Sequence, residues 1–168
     1  MSTNQHNYNN SKGYSLHIAL NKVDPGYYAG EEHPLYCCVK DAKEMQKLAH
    51  HEGVVSSELL INEQATIDNL HNSLKGYSEE LEKGDFLFIT YSGHGGRIPD
   101  KNGDEDDGYD ETWCLYDGHF IDDELYHHFS QFTEGVRIFV VSDSCHSGTV
   151  TKEAIPVSYT HLTLPTKA

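Results

Sequence analysis

Apolar positions along the chain change period several times, and each change marks an element. In "YSLHIALN" (14–21) polar and apolar residues alternate and then run apolar, the pattern of a buried strand. "NKVDPGYYAGEEHP" follows with Pro, Gly and acids, a loop. Val39, Ala42, Met45, Leu48 and Ala49 recur at helical spacing within "CVKDAKEMQKLAHHEG", and Gly53 is placed to end that helix. "VVSSELLIN" reads as the next strand. Ile67, Leu70, Leu74 and Leu81 predict a second helix over 66–81, weakened in its middle by Gly76. "DFLFITYS" (85–92) is a strand. A long acidic stretch, a short strand around "TWCLY", a helix over 122–132 and the strand "RIFVVSD" from Arg137 complete the series.

Strands and helices in this alternation predict an α/β fold, a mostly parallel sheet flanked by helices on both faces, because parallel neighbours need crossover connections. The 168 residues suffice for one such domain. Sheets of this kind bind ligands at the carboxyl ends of their strands. "DFLFIT" leads into "YSGHGG" and "RIFVV" leads into "SDSCHSG", so His94 and Cys145 both emerge at that rim. Gly93, Gly95 and Gly96 let the backbone turn sharply there and bring amide N–H groups near a substrate carbonyl. A thiol and an imidazole so placed can carry nucleophilic acyl transfer. Ser144 and Ser147 are weaker candidates.

Charge narrows the partners. Twenty-seven acids against twelve Lys and Arg give a formal charge of −15, which argues against nucleic acid and for cationic partners or metal ions. Asp143, two residues before Cys145, suits a basic substrate side chain. In "DKNGDEDDGYDE", Asp100, Asn102, Asp104 and Glu111 fall on positions one, three, five and twelve of a calcium loop, but Glu105 stands where that loop needs glycine, which argues against an EF-hand. "MSTNQHNYNNSK" lacks the apolar stretch of a signal peptide, and no segment approaches membrane-spanning length. Four cysteines without a CxxC pair read as free thiols of a reducing compartment. The expectation is therefore a soluble, cytoplasmic protein with no membrane partner. Cys37 and Cys114 read as structural thiols, Trp113 as core, and His127, His128 and His146 as solvated surface.

The set "YSGHGG", "DEDDGYDE" and "DSCHSGT", in that order, resembles the metacaspase branch of caspase-like cysteine peptidases. The likeness runs over about residues 14–150 and takes in "ALNKVDPGYY" and "CCVKDAKEM". It implies a caspase-like fold, with Cys145 as nucleophile, His94 as its partner, the Gly95 and Cys145 amides as oxyanion donors, and no cofactor required for the chemistry. It also implies a first specificity pocket built from Cys38, Asp41, Ser92 and Asp143. Two carboxylates there favour Arg and accept Lys while repelling Asp. The family's calcium ligands match Asp110, Asp122 and Asp123. A further acid, seven residues beyond the nucleophile, falls on Lys152, with Glu153 beside it. Caspases proper carry Q-A-C with a following glycine, whereas this chain reads "DSCHSG".

The expected organisation is a flexible tail over 1–13, a catalytic large-subunit portion over 14–155, and a non-native tail over 156–168, where "PVSYTHLTLPTKA" continues no family pattern and resembles a translated sequencing adapter. Such a chain is truncated after the nucleophile, with no further strand and with a small-subunit region missing. Two functions follow from these readings. One is a cysteine endopeptidase cleaving after Arg or Lys, with calcium as a candidate activator. The alternative is a non-catalytic caspase-like module that binds calcium or a partner peptide.

Overall fold

In the computed structural model the described residues are 11–30, 34–99, 108–144 and 159–163. Strand β1 (Gly13–Ala19) is an inner strand of a parallel array, paired on one side with β2 (Ser56–Ile61) and on the other with β3 (Phe86–Ser92). Strand β7 (Arg137–Asp143) lies beyond β3, and β8 (Tyr159–Thr163) beyond β7, giving five parallel strands in the order β2-β1-β3-β7-β8. Between β3 and β7 the chain builds a separate antiparallel sheet from β4 (Gly95–Pro99), β5 (Tyr109–Leu115) and β6 (Gly118–Ile121).

Alternation along the strands sorts side chains to two faces. Tyr14, Leu16 and Ile18 of β1, Leu87, Ile89 and Tyr91 of β3, and Ile138 and Val140 of β7 share one buried cluster with Leu70, Leu74 and Tyr77 of helix α2 (Ile67–Glu80). Leu125 and Phe129 of helix α3 (Asp122–Ser130) and Trp113, Leu115 and Phe120 of the small sheet complete it. The other face carries Ala19 against Cys38 and Ala42 of helix α1 (Cys38–His51), with Val39, Leu59 and Ile61 around them. The helices thus flank the sheet on both faces, as the alternation predicts.

Local chemistry sets the helix ends. The Thr66 hydroxyl accepts from the Asn69 N–H at 3.2 Å and caps α2. Helix α1 stops where Gly53 takes φ +89°, with its N–H bonded to the His50 carbonyl and that of Val54 to the Ala49 carbonyl. The other end of α1 is tied to the exit of β1, where the Asn21 side chain accepts from the Val39 N–H at 3.1 Å.

Three expectations are corrected. The "TWCLY" strand is not a member of the parallel sheet. It is the middle of the antiparallel one, paired with β4 on one side and on the other with β6, which follows after only two residues, a connection too short for a parallel neighbour. A strand does follow the nucleophile segment: β8 falls inside the 156–168 tail and pairs in parallel with β7, whose outer edge offers unpaired backbone groups to a β-prone run. His128 is not simply solvated surface, since it is half-buried against His71 of α2.

Candidate active site

The parallel register places Ala19, Ser92 and Asp143 in one row across the carboxyl ends of β1, β3 and β7. All three face α1, whose first turns carry Cys38 and Asp41. A cavity of about 200 Å³ opens between that row and the helix, lined by Thr90, Ser92, Val141 and Asp143 from the strands and by Asp41, Ala42, Glu44 and Met45 from α1. Its walls are largely apolar, and its charges are acidic. Burial pushes the Cys38 thiol up, a hydrogen bond with Ser92 works against that rise, and the nearby Asp143 and Asp41 carboxylates add to it. Cys38, Asp41, Ser92 and Asp143 therefore meet at one place. Glu44 and Met45 were not singled out from the sequence, although they stand three and four residues after Asp41 and so share its helix face. Glu44 holds Lys47 at 2.7 Å on the exposed side of α1.

His94 follows at the exit of β3. Its carbonyl accepts from the Tyr91 hydroxyl at 2.6 Å and from the Cys114 N–H at 2.9 Å. The same hydroxyl lies 3.0 Å from the Cys114 carbonyl, and the Tyr91 ring stacks on Trp113 at 4.6 Å with 4° between planes. Trp113 in turn donates its indole N–H to the Ser142 hydroxyl at 3.1 Å, and Ser142 lies 3.3 Å from the Ser144 hydroxyl. The His94 backbone is thus fixed to β3, β5 and, through Trp113, to β7. Cys145 lies outside the described residues, two positions beyond Asp143.

Of the glycines near His94, Gly93 sits in a bend between β3 and β4, while the other two are not turn residues. Gly95 and Gly96 belong to β4, paired with Trp113 and Thr112. A Cβ on Gly93 would stand 2.6 Å from the Tyr91 hydroxyl oxygen, and one on Gly96 would stand 3.0 Å from His119 Cε1 and Thr112 Oγ1. What glycine supplies here is room for close packing. The sequence shows glycines but not which neighbours press on them.

The three acids matched to calcium stand near the other end of the small sheet. Asp110 and Asp122 are buried, at 3% and 2% exposure, and Asp123 is half-buried at the start of α3. The β5–β6 register ends at the Thr112–Ile121 pair, two residues from Asp110 on β5 and one from Asp122, where α3 begins. Carboxylate oxygens are the donors that calcium takes, and two buried carboxylates gain from a cation. The donor set fits the ion chemically. Among the described residues, however, no group of three or more His, Cys, Asp or Glu is gathered around a point that could hold a metal.

The metacaspase, peptidase C14 domain family matches residues 18–153. The chain belongs to this family. Metacaspase-1B of Aspergillus fumigatus is 35% identical over 136 residues, covering 73% of this chain and 33% of that protein. Metacaspase-1 of Emericella nidulans is 36% identical over 135 residues, with similar coverage of 72% and 33%. A solved structure, protein GSU0716 from Geobacter sulfurreducens, superposes with a TM-score of 0.75 and 46% identity, covering 83% of this chain and 52% of that one. The fold is the caspase-like one of a metacaspase domain, and the chain spans about a third of the length of the curated metacaspases it matches. Among the described residues no helix is long and apolar enough to cross a membrane.

Proposed function

We propose that this metacaspase chain is the catalytic portion of a cysteine endopeptidase that cleaves after Arg or Lys. The observation that carries the reading is the acidic cavity at the strand ends, with Asp41 and Asp143 on its two walls and with β3 and β7 leading directly from it to His94 and Cys145. A guanidinium or ammonium entering the cavity would meet carboxylates from α1 and β7, and its methylene stem would lie against Ala42, Met45 and Val141. The scissile carbonyl would then stand above the strand ends, where the nucleophile is due.

The chemistry follows from those positions. The Cys145 thiolate adds to the carbonyl carbon, and the resulting oxyanion is met by the Gly95 and Cys145 amides. His94 gives a proton to the amine as the C–N bond breaks, leaving a thioester. Water, losing a proton to His94, attacks that thioester, breaks the C–S bond and releases the acid product. Asp110, Asp122 and Asp123 are the residues that would hold calcium. The bound ion would neutralise the carboxylates and fix the start of α3 on the small sheet.

Peptides ending in a reporter amide after Arg, Lys, Asp or Ala test the reading, offered to this chain and to a longer one carrying the rest of the family domain. Release after Arg and Lys, abolished by Cys145→Ala and cut nearly as far by His94→Ala, supports it. Preference for Asp refutes the basic pocket. Binding of the Arg peptide without turnover by either chain leaves the non-catalytic module as the better reading.

A further inference from the structure

Away from the strand ends, α2 and α3 bring two imidazoles face to face. His71 Nδ1 lies 2.6 Å from His128 Nε2, with the rings 4.9 Å apart and tilted by 43°. Phe120 packs on both, 5.1 Å from His71 and 6.3 Å from His128. Two ring nitrogens at this distance cannot both carry hydrogen, so one proton lies between two lone pairs. On the far side of His71, Glu124 Oε1 stands 3.9 Å from Nε2, and the other oxygen of that carboxylate accepts from the Ile121 N–H at 3.3 Å. A carboxylate held there by the helix cap favours the hydrogen on His71 Nε2 and turns the Nδ1 lone pair toward His128. Burial, then the neighbouring His71 and His127, push the His128 pKa down to about 4, so its ring is neutral at ordinary pH.

We propose that His71 and His128 form a two-imidazole site for a divalent transition-metal ion of the zinc, copper or nickel kind, which takes the place of the hydrogen between them, His128 then carrying its hydrogen on Nδ1. Neutral imidazoles are the ligands such ions prefer, and calcium and magnesium do not compete for them. Metal–nitrogen bonds of about 2.0–2.1 Å at a tetrahedral ion put two ligand nitrogens roughly 3.3 Å apart, so the rings need to part by less than 1 Å. They can do so, because neither ring is deeply buried and an open groove of about 420 Å³ runs beside them, lined also by Lys75, Glu79, His127 and Gln131. Glu124 then plays the part that carboxylates take behind metal-bound histidines, fixing the tautomer and raising the basicity of the ligating nitrogen. With no third protein ligand gathered among the described residues, water fills the remaining positions. The ion cross-links α2 to α3. This site is independent of the peptidase reading, since none of its residues lines the acidic cavity.

The test is zinc titration of the full chain, read by calorimetry, by thermal unfolding and by 15N spectra of the histidine rings. Zinc should raise the unfolding temperature of the wild type and shift His71 Nδ1 and His128 Nε2. His71→Gln and His128→Gln should each weaken binding at least tenfold and remove the thermal gain, whereas His127→Gln keeps both. Equal zinc affinity in wild type and both variants overturns the proposal, as does a spectrum in which other nitrogens take the metal. If either variant fails to fold, the wild-type ring spectrum decides alone.

Discussion

Ser92 and Asp143 lie directly opposite each other in the β3–β7 ladder, and the Gly93 N–H bonds to the Asp143 carbonyl at 3.3 Å. The ladder fixes their spacing, so the pocket's acid is held by the sheet rather than by a loop. Its side chain is nonetheless exposed, as is that of Asp41. Before substrate binds, both carboxylates are solvated, which makes their loss less costly than stripping a partner from a buried charge pair. Asp143→Asn should therefore lower kcat/KM on Arg and Lys peptides about tenfold to a hundredfold, or roughly 1.4–3 kcal/mol, and Asp41→Asn should act similarly. Hydrolysis of a peptide with Ala at the same position should barely change. An equal fall on all peptides would place Asp143 in folding rather than selection.

The anchoring of His94 predicts a change in rate at nearly constant affinity. Tyr91→Phe removes the hydroxyl beneath the His94 and Cys114 carbonyls, and should cost about 1–2 kcal/mol of stability in urea unfolding. It should also lower kcat while leaving KM close to wild type, because Tyr91 lines the acidic cavity but the hydroxyl that is lost is engaged with the His94 and Cys114 carbonyls instead. Gly93→Ala should be worse on both counts, since its Cβ would stand 2.6 Å from the Tyr91 hydroxyl oxygen.

His17 makes folding sensitive to acid. The ring is wholly buried on the α1 face of β1, bonded through Nδ1 to the Thr90 hydroxyl at 2.8 Å and set edge-on to Phe88. Burial first, and the nearby His50 second, lower its pKa from 6.5 to about 4. As pH falls below 6.5 the unfolded chain takes up the proton and the folded chain does not. The stability due to the neutral ring is thus complete above pH 6.5 and is lost between there and pH 4, up to about 3 kcal/mol at 1.4 kcal/mol per unit. Urea midpoints at pH 7.5 and pH 5 should diverge clearly in wild type and much less in His17→Leu, with His128 supplying the remaining slope. Equal divergence in the variant would remove His17 as the cause.

Calcium binding should depend on Asp110 of β5 and on Asp122 and Asp123 at the start of α3. Calorimetric titration is expected to show heat with the wild type and none after Asp110, Asp122 and Asp123 are all changed to Asn, with peptide cleavage following the same pattern. Binding retained by the triple variant would move the ion to another set of acids. A wild type that takes no calcium would remove the ion from the activation scheme.

The long periodic stretches were legible from the chain alone. Helix α1 and strands β3 and β7 fall within a residue or two of their predicted bounds, because each buries a regular stripe of apolar residues. Those three elements carry the acidic cavity, but its residues Cys38, Asp41, Ser92 and Asp143 came from the resemblance to metacaspases and not from the periodicity. Strand β4 was not, because "GGRIP" has neither alternation nor β-propensity and is strand only through pairing with β5. Strand β6 has four residues, too few to show a period. The His71–His128 contact is invisible in sequence for another reason: it joins two helices whose facing sides are set by tertiary packing.

The cavity draws its walls from α1, β3 and β7, and β7 is the last of the three to be made. A chain leaving the ribosome has two acids on the first helix and a strand end carrying Ser92, but no opposite wall until residue 143 has cleared the exit tunnel. The acidic cavity is therefore assembled only once β7 has joined β3 and α1. Until then the acids of α1 and the end of β3 face solvent separately, and the lysine- and arginine-rich surfaces around the ribosome meet no closed cavity.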